Sequence, residues 1–203
     1  MFPIIPANSV VEEAGNQEGI FGFGVSPRTA ITNLVSNAGV VSSDVPGVGT
    51  PRNNNTATQY GGDKGIFGFG EGPLSATTNL VSNAGVVASD TAGVGTARWG
   101  IAACSYGEDK GIFGYGRNNG SDVSITNLVS NAGVVSSDVA GVGTARRTPA
   151  ACEYGGDKGI FGFGYTGTRL SITNLVSNAG VVASDQAATT GTSRQYLAGC
   201  SFN

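Results

Sequence analysis

The chain has 203 residues, 34 of them glycine, with 12% charged residues and a net charge of −3. Nothing in it clusters Lys and Arg as nucleic-acid binding requires. The absence of histidine removes the commonest general base and metal ligand, and no apolar run approaches the ~20 residues of a membrane span.

Residues 1–18 stand outside the pattern of the rest of the chain. MFPIIPANSV has neither a basic n-region nor an adequate apolar h-region, so no signal peptide is expected. Phe2, Ile4 and Ile5 beside two prolines suit an extended tether that docks on another subunit.

Four repeats follow. GIFGFG or GIFGYG begins at Gly19, Gly65, Gly111 and Gly159, at spacings of 46, 46 and 48. TNLVSNAGVV begins at Thr32, Thr78, Thr126 and Thr173 without change. Arg52, Arg98, Arg146 and Arg194 close the units, giving repeats of about 19–52, 53–98, 99–146 and 147–194. Each divides into four predicted strands. A small-residue stretch such as Ile101–Tyr106 comes first, and an Asp-Lys turn leads into GIFGYG. There a period of two places Phe113 and Tyr115 on one face, Ile112 and Gly114 on the other. After a variable loop comes TNLVS, then an Asn-Ala-Gly hairpin with glycine in the left-handed position, then VVSSD. No stretch has helical period and length, and the glycine content disfavours helix throughout.

Four strands per 40–50 residues is a propeller-blade pattern. The expected fold is all-β: a four-bladed β-propeller of four-stranded antiparallel blades. The segment Arg194–Asn203 matches Arg98–Tyr106 position by position, and no second strand follows it. Residues 195–203 are therefore expected to complete the first blade and close the ring; the competing expectation is that Val10 and Val11 supply that blade's inner strand.

The unit running from the repeat arginine through YGGDKGIFGFG to TNLVSNAGVVASD resembles a kelch-type blade, with valines where kelch blades carry a paired Tyr and Trp. YGGDKGIFGFG, TNLVSNAGVV and the opening MFPIIPANS are similar to repeats of tailed-phage and virion-associated proteins. That resemblance implies a virion structural or host-attachment role, assembly in the host cytoplasm, other virion proteins as partners in a larger assembly, and a host glycan or receptor as ligand. A free multivalent lectin is the alternative.

Candidate sites are few. Cys104, Cys152 and Cys200 recur six residues after an arginine, which reads as a small buried position rather than a ring of metal-binding thiols. Asp44, Asp90, Asp138 and Asp185 precede the arginines by eight or nine residues and are expected either to cap the return loop or to pair with arginine on the same or the next blade. GVGTAR lacks the lysine and the helix of a phosphate loop. No catalytic set, metal site or cofactor is expected, and the chain reads as a non-enzyme. The units disagree at the loops 25–31, 71–77, 117–125 and 165–172, so Arg28, Glu71, Arg117, Asn118, Asn119, Asp122, Tyr165 and Arg169 are the predicted contact residues.

Overall fold

A computed structural model describes residues 18–187 and 191–202. The fold is all-β, with eleven strands in four small antiparallel sheets among the described residues. β1 (Gly19–Gly24) pairs with β2 (Thr29–Val35). In the second repeat β3 (Thr56–Tyr60), β4 (Lys64–Gly70) and β5 (Ser75–Val81) form a three-stranded meander. The third repeats it with β6 (Ala102–Tyr106), β7 (Lys110–Gly114) and β8 (Thr126–Val129). The fourth does so with β9 (Ala150–Tyr154), β10 (Lys158–Tyr165) and β11 (Arg169–Val176).

The hairpins follow the expected chemistry. Ser130 N–H bonds to Val134 O across Asn131-Ala132-Gly133, and Gly133 has a φ of 76°. The fourth strand is slighter than expected. VVSSD makes isolated bridges, Val129 to Val135 and Thr126 to Val139 in the third repeat, and no continuous ladder. Its Ser136 hydroxyl accepts the Leu128 N–H, and Ser136 O accepts from the Asn127 side chain, so side chains take over bonds that a ladder would make.

The aromatic pair of GIFGFG also departs from simple alternation. The second aromatic is left-handed in every repeat, with φ of 65° at Phe23, 61° at Phe69, 63° at Tyr115 and 64° at Phe163. In the first, second and fourth repeats the register shifts at this residue. This bulge turns the second side chain to the opposite face. Phe113 meets Phe69 of the preceding repeat edge-on at 5.2 Å, while Tyr115 meets Phe161 of the following one at 5.1 Å. The two aromatics thus hold different neighbours and do not share a face. The glycine between them is the seat for the next repeat's ring: a Cβ on Gly68 would lie 2.8 Å from Phe113.

The expected ring closure is not formed among the described residues. β1 pairs only with β2, and residues 195–202 contain no strand. The first sheet has two strands, and no described residue pairs with the other edge of β1. Phe21 is accordingly 63% exposed, where the equivalent Phe113 is fully buried. The tether residues Phe2, Ile4 and Ile5, with Val10 and Val11, lie outside the described residues.

Gly68→Ala forces a methyl group into the Phe113 ring. We expect a loss of about 1–3 kcal/mol, read as a lower urea midpoint with an unchanged slope.

Candidate functional site

The repeat arginine is the centre of a clasp between successive repeats. Arg98 is fully buried, and its guanidinium lies 4.2 Å over the Phe69 ring of its own repeat. It donates from Nε to Tyr115 O at 2.8 Å and from Nη2 to Asn127 Oδ1 at 2.6 Å, both in the next repeat. Asn127 in turn donates to Asp138 Oδ1 at 3.0 Å. Asp138 reaches back, accepting the Thr96 N–H and hydroxyl at 3.0 and 2.6 Å.

Arg52 over Phe23 likewise donates to Asn79, and Arg146 over Tyr115 to Asn174, but in these two the buried Nε has no hydrogen-bond partner, so the full set of bonds is met at Arg98 alone among the three. Thr50 meets Asp90 and Thr144 meets Asp185. GVGTAR therefore serves this joint. A Cβ on Gly95 would lie 2.6 Å from Asn127 and 2.7 Å from Asp138, so glycine lets the chain reach the next repeat. Asp90 and Asp138 lie 3.8 and 3.9 Å from Arg52 and Arg98 of the preceding repeat, and Asp185 reaches Thr144 beside Arg146, whereas Asp44 meets Asn33 of its own repeat and no arginine among the described residues.

Burial lowers the Arg98 pKa to about 10, and Asp138 partly offsets this; the side chain remains cationic at neutral pH. Burial alone would raise Asp90, Asp138 and Asp185. The Thr and Asn hydrogen bonds outweigh it and hold all three carboxyls below the ordinary value.

The residues predicted from the variable loops lie between the second and third strands of their repeats, and Arg28, Glu71, Arg117, Asp122 and Tyr165 engage residues just after a repeat arginine. Arg28 donates to Asn53 at 2.8 Å, and Glu71 accepts from Asn53 and Asn54 at 3.2 and 2.7 Å. Asp122 binds Arg117 at 3.2 Å and Arg147 at 2.8 Å, and Arg147 stacks over Tyr165 at 4.6 Å. Asn118 caps its own turn, accepting the N–H groups of Gly120 and Ser121 at 2.9 Å. Asn119 and Arg169 are exposed. These residues form two polar clusters rather than eight free contacts. Sequence reasoning missed Asn53, Asn54 and Arg147; their signal was their place immediately after the repeat arginine, where the units also differ.

The constant Asp-Lys tips mark the opposite edge, where Asp109 pairs with Lys110 and accepts from Asn131 at 3.0 Å. Cys104 is buried, its thiol pushed up to about 12, chiefly by desolvation. Cys152 is half-buried and Cys200 exposed, so the three do not share one environment. Among the described residues no three Cys, Asp or Glu side chains gather as metal ligands.

Two cavities lie where the repeats' leading segments converge. One, of about 270 Å³, is lined by Asn54, Asn55, Gly100, Ile101, Thr148, Pro149, Tyr196 and Leu197, beside the variable edge. The other, of about 400 Å³, is lined by residues 57–59, 103–105, 151–153 and 199–201 together with β1.

No family model and no curated protein matches the chain.

Two outcomes are expected of the clasp. Arg98→Met keeps the stem but removes the donors to Asn127, and should cost about 2–3 kcal/mol, read by chemical denaturation. The pH dependence follows from the depressed aspartates. Their stabilisation is present above the unfolded carboxyl value of about 4 and is lost as pH falls through the lower folded values. Thermal stability contributed by these groups should be level from pH 7 to 5 and fall below pH 4. Asp138→Asn should shrink that acid-side loss.

Proposed function

We propose that the protein is a non-enzymatic structural and attachment module, a four-bladed propeller whose variable edge meets a partner's polar surface. The observation that carries this reading is the segregation of the repeat. Constant residues are spent on cohesion between repeats, whereas the residues that differ sit in loops that contact the segments after each repeat arginine, and those segments line the 270 Å³ mouth. A scaffold of near-identical joints with one variable edge is suited to binding: the scaffold sets the geometry, and the edge changes without disturbing it.

The Arg, Asn, Asp and Tyr side chains of these loops, with Asn54, Asn55 and Tyr196 at the mouth itself, offer donors, acceptors and a stacking ring, which suits a sugar or a polar protein face. The repeat resemblance makes a tailed-phage virion the proposed setting. There residues 1–18 are the tether to another virion subunit, and a host surface glycan or receptor is the ligand.

Two experiments test this. A glycan array and a host-cell binding assay should show saturable binding, weakened at least tenfold, or about 1.4 kcal/mol, by Glu71→Ala or Arg117→Ala. No binding to either surface contradicts attachment. Deleting residues 1–10 should leave the thermal transition in place and abolish incorporation into particles; continued incorporation contradicts the tether.

A further inference from the structure

We propose that the 400 Å³ cavity is a strand-acceptor groove whose occupant is the chain's own segment 198–202, which seats on the free edge of β1 and zips the first and fourth repeats into a closed ring. The inference deepens the blade reading above and rests on it.

The groove has the shape of a missing strand. Each leading strand presses a side chain onto the next repeat: Thr58 Cγ2 lies 2.7 Å from the Cβ position of Gly111, and Cys104 Sγ lies 2.7 Å from that of Gly159. At the equivalent Gly65 no described residue of another repeat comes so close; the nearest atoms are those of Val81, at 3.6 Å, and Thr58, from its own sheet. The hairpin glycines tell the same story. Gly133 meets Tyr60 at 2.9 Å and Gly180 meets Tyr106 at 2.9 Å, while the nearest atoms to Gly85 are all from Leu34, with no leading-strand ring as close. Both empty positions line the 400 Å³ cavity.

The occupant is preshaped and near. Ala198-Gly-Cys-Ser-Phe202 aligns with the strands Ala102-Ala-Cys-Ser-Tyr106 and Ala150-Ala-Cys-Glu-Tyr154. The residue two before each strand is left-handed: Asn54 at 52°, Gly100 at 62°, Thr148 at 52°, and likewise Tyr196 at 55°. Gly199 already lies against β9, a Cβ there falling 3.0 Å from Ala151 O. Residues 199–201 and Gly19 and Ile20 face the same cavity. The pairing of Cys152 with Ile160 and Ala150 with Gly162 fixes the register: Cys200 opposite Ile20, Ala198 opposite Gly22. Phe202, 93% exposed, then takes the place held by the buried Tyr60 and Tyr106.

The two end faces carry the matching halves of a clasp. Arg194 stacks over Phe163 at 4.1 Å and otherwise bonds Thr192 O, with no partner in a following repeat among the described residues. At the other end Asn33 donates to Ser42 O and Asp44 Oδ1 just as Asn127 does to Ser136 O and Asp138, leaving its Oδ1 to accept an arginine. Phe21 is exposed, and Gly162, its expected seat, meets nothing nearer than Thr173 of its own sheet at 3.4 Å.

The test introduces Ile20→Cys in a Cys152→Ser background, leaving Cys200 as the accessible native thiol, with oxidised glutathione as the oxidant. The expected product is a monomer in which the peptide around residue 20 is linked to the C-terminal peptide. In the reduced wild-type background, Gly162→Ala should lower Tm as much as Gly114→Ala does, because both glycines then seat a ring. A link between two chains overturns the proposal by making a second copy the occupant. No link, with Gly162→Ala leaving Tm unchanged while Gly114→Ala lowers it, overturns it by showing an open stack. Neither result bears on surface binding by the variable edge, which the glycan and cell assays read separately.

Discussion

The structure depends on a buried arginine that belongs to one repeat and finds its hydrogen-bond acceptors in the next. A guanidinium at full burial is costly unless its donors are met. Arg98 meets this constraint with an aromatic face beneath it, a main-chain carbonyl, and Asn127 held in place by Asp138. The cation over the ring contributes ~2 kcal/mol when desolvated, and the edge-on aromatic pairs add about 0.5–1.5 kcal/mol each. The arginine's hydrogen bonds to Tyr115 O and Asn127 and the edge-on aromatic pairs cannot form within a single repeat. Cohesion is therefore a property of neighbours, as in other repeat architectures.

That constraint explains why the repeats are copied so closely. TNLVSNAGVV carries the Asn that accepts the arginine, the glycine that receives the preceding repeat's Tyr, and the valines that bridge the outer segment. A change at any of these positions disturbs two repeats at once. The loops between the second and third strands also reach the following unit, Arg28 to Asn53 and Asp122 to Arg147, but each through its own residues, and there the four units diverge.

Much of this was legible in the sequence. Glycine content, repeat spacing and the Asn-Ala-Gly turns specify an all-β chain of four units, and the Arg and Asp positions specify a joint. What local pattern could not show was the orientation of the aromatics. A period of two holds only while the backbone stays extended, and the left-handed second aromatic breaks it. The outer segment was overread as a strand because Ser and Asn side chains replace ladder bonds. The variable residues were found, but their partners after each arginine were not, since those contacts span about a third of a repeat or more. Asp122 joining Arg117 to Arg147 crosses from one unit to the next.

The central claim is that the arginine and its acceptors act as one energetic unit between repeats. A double-mutant cycle on Arg98 and Asn127, using Arg98→Met and Asn127→Ala, measures this directly. The clasp predicts a coupling energy above about 1.5 kcal/mol, within the range seen for residues sharing a buried network. Additivity within about 0.5 kcal/mol would contradict it.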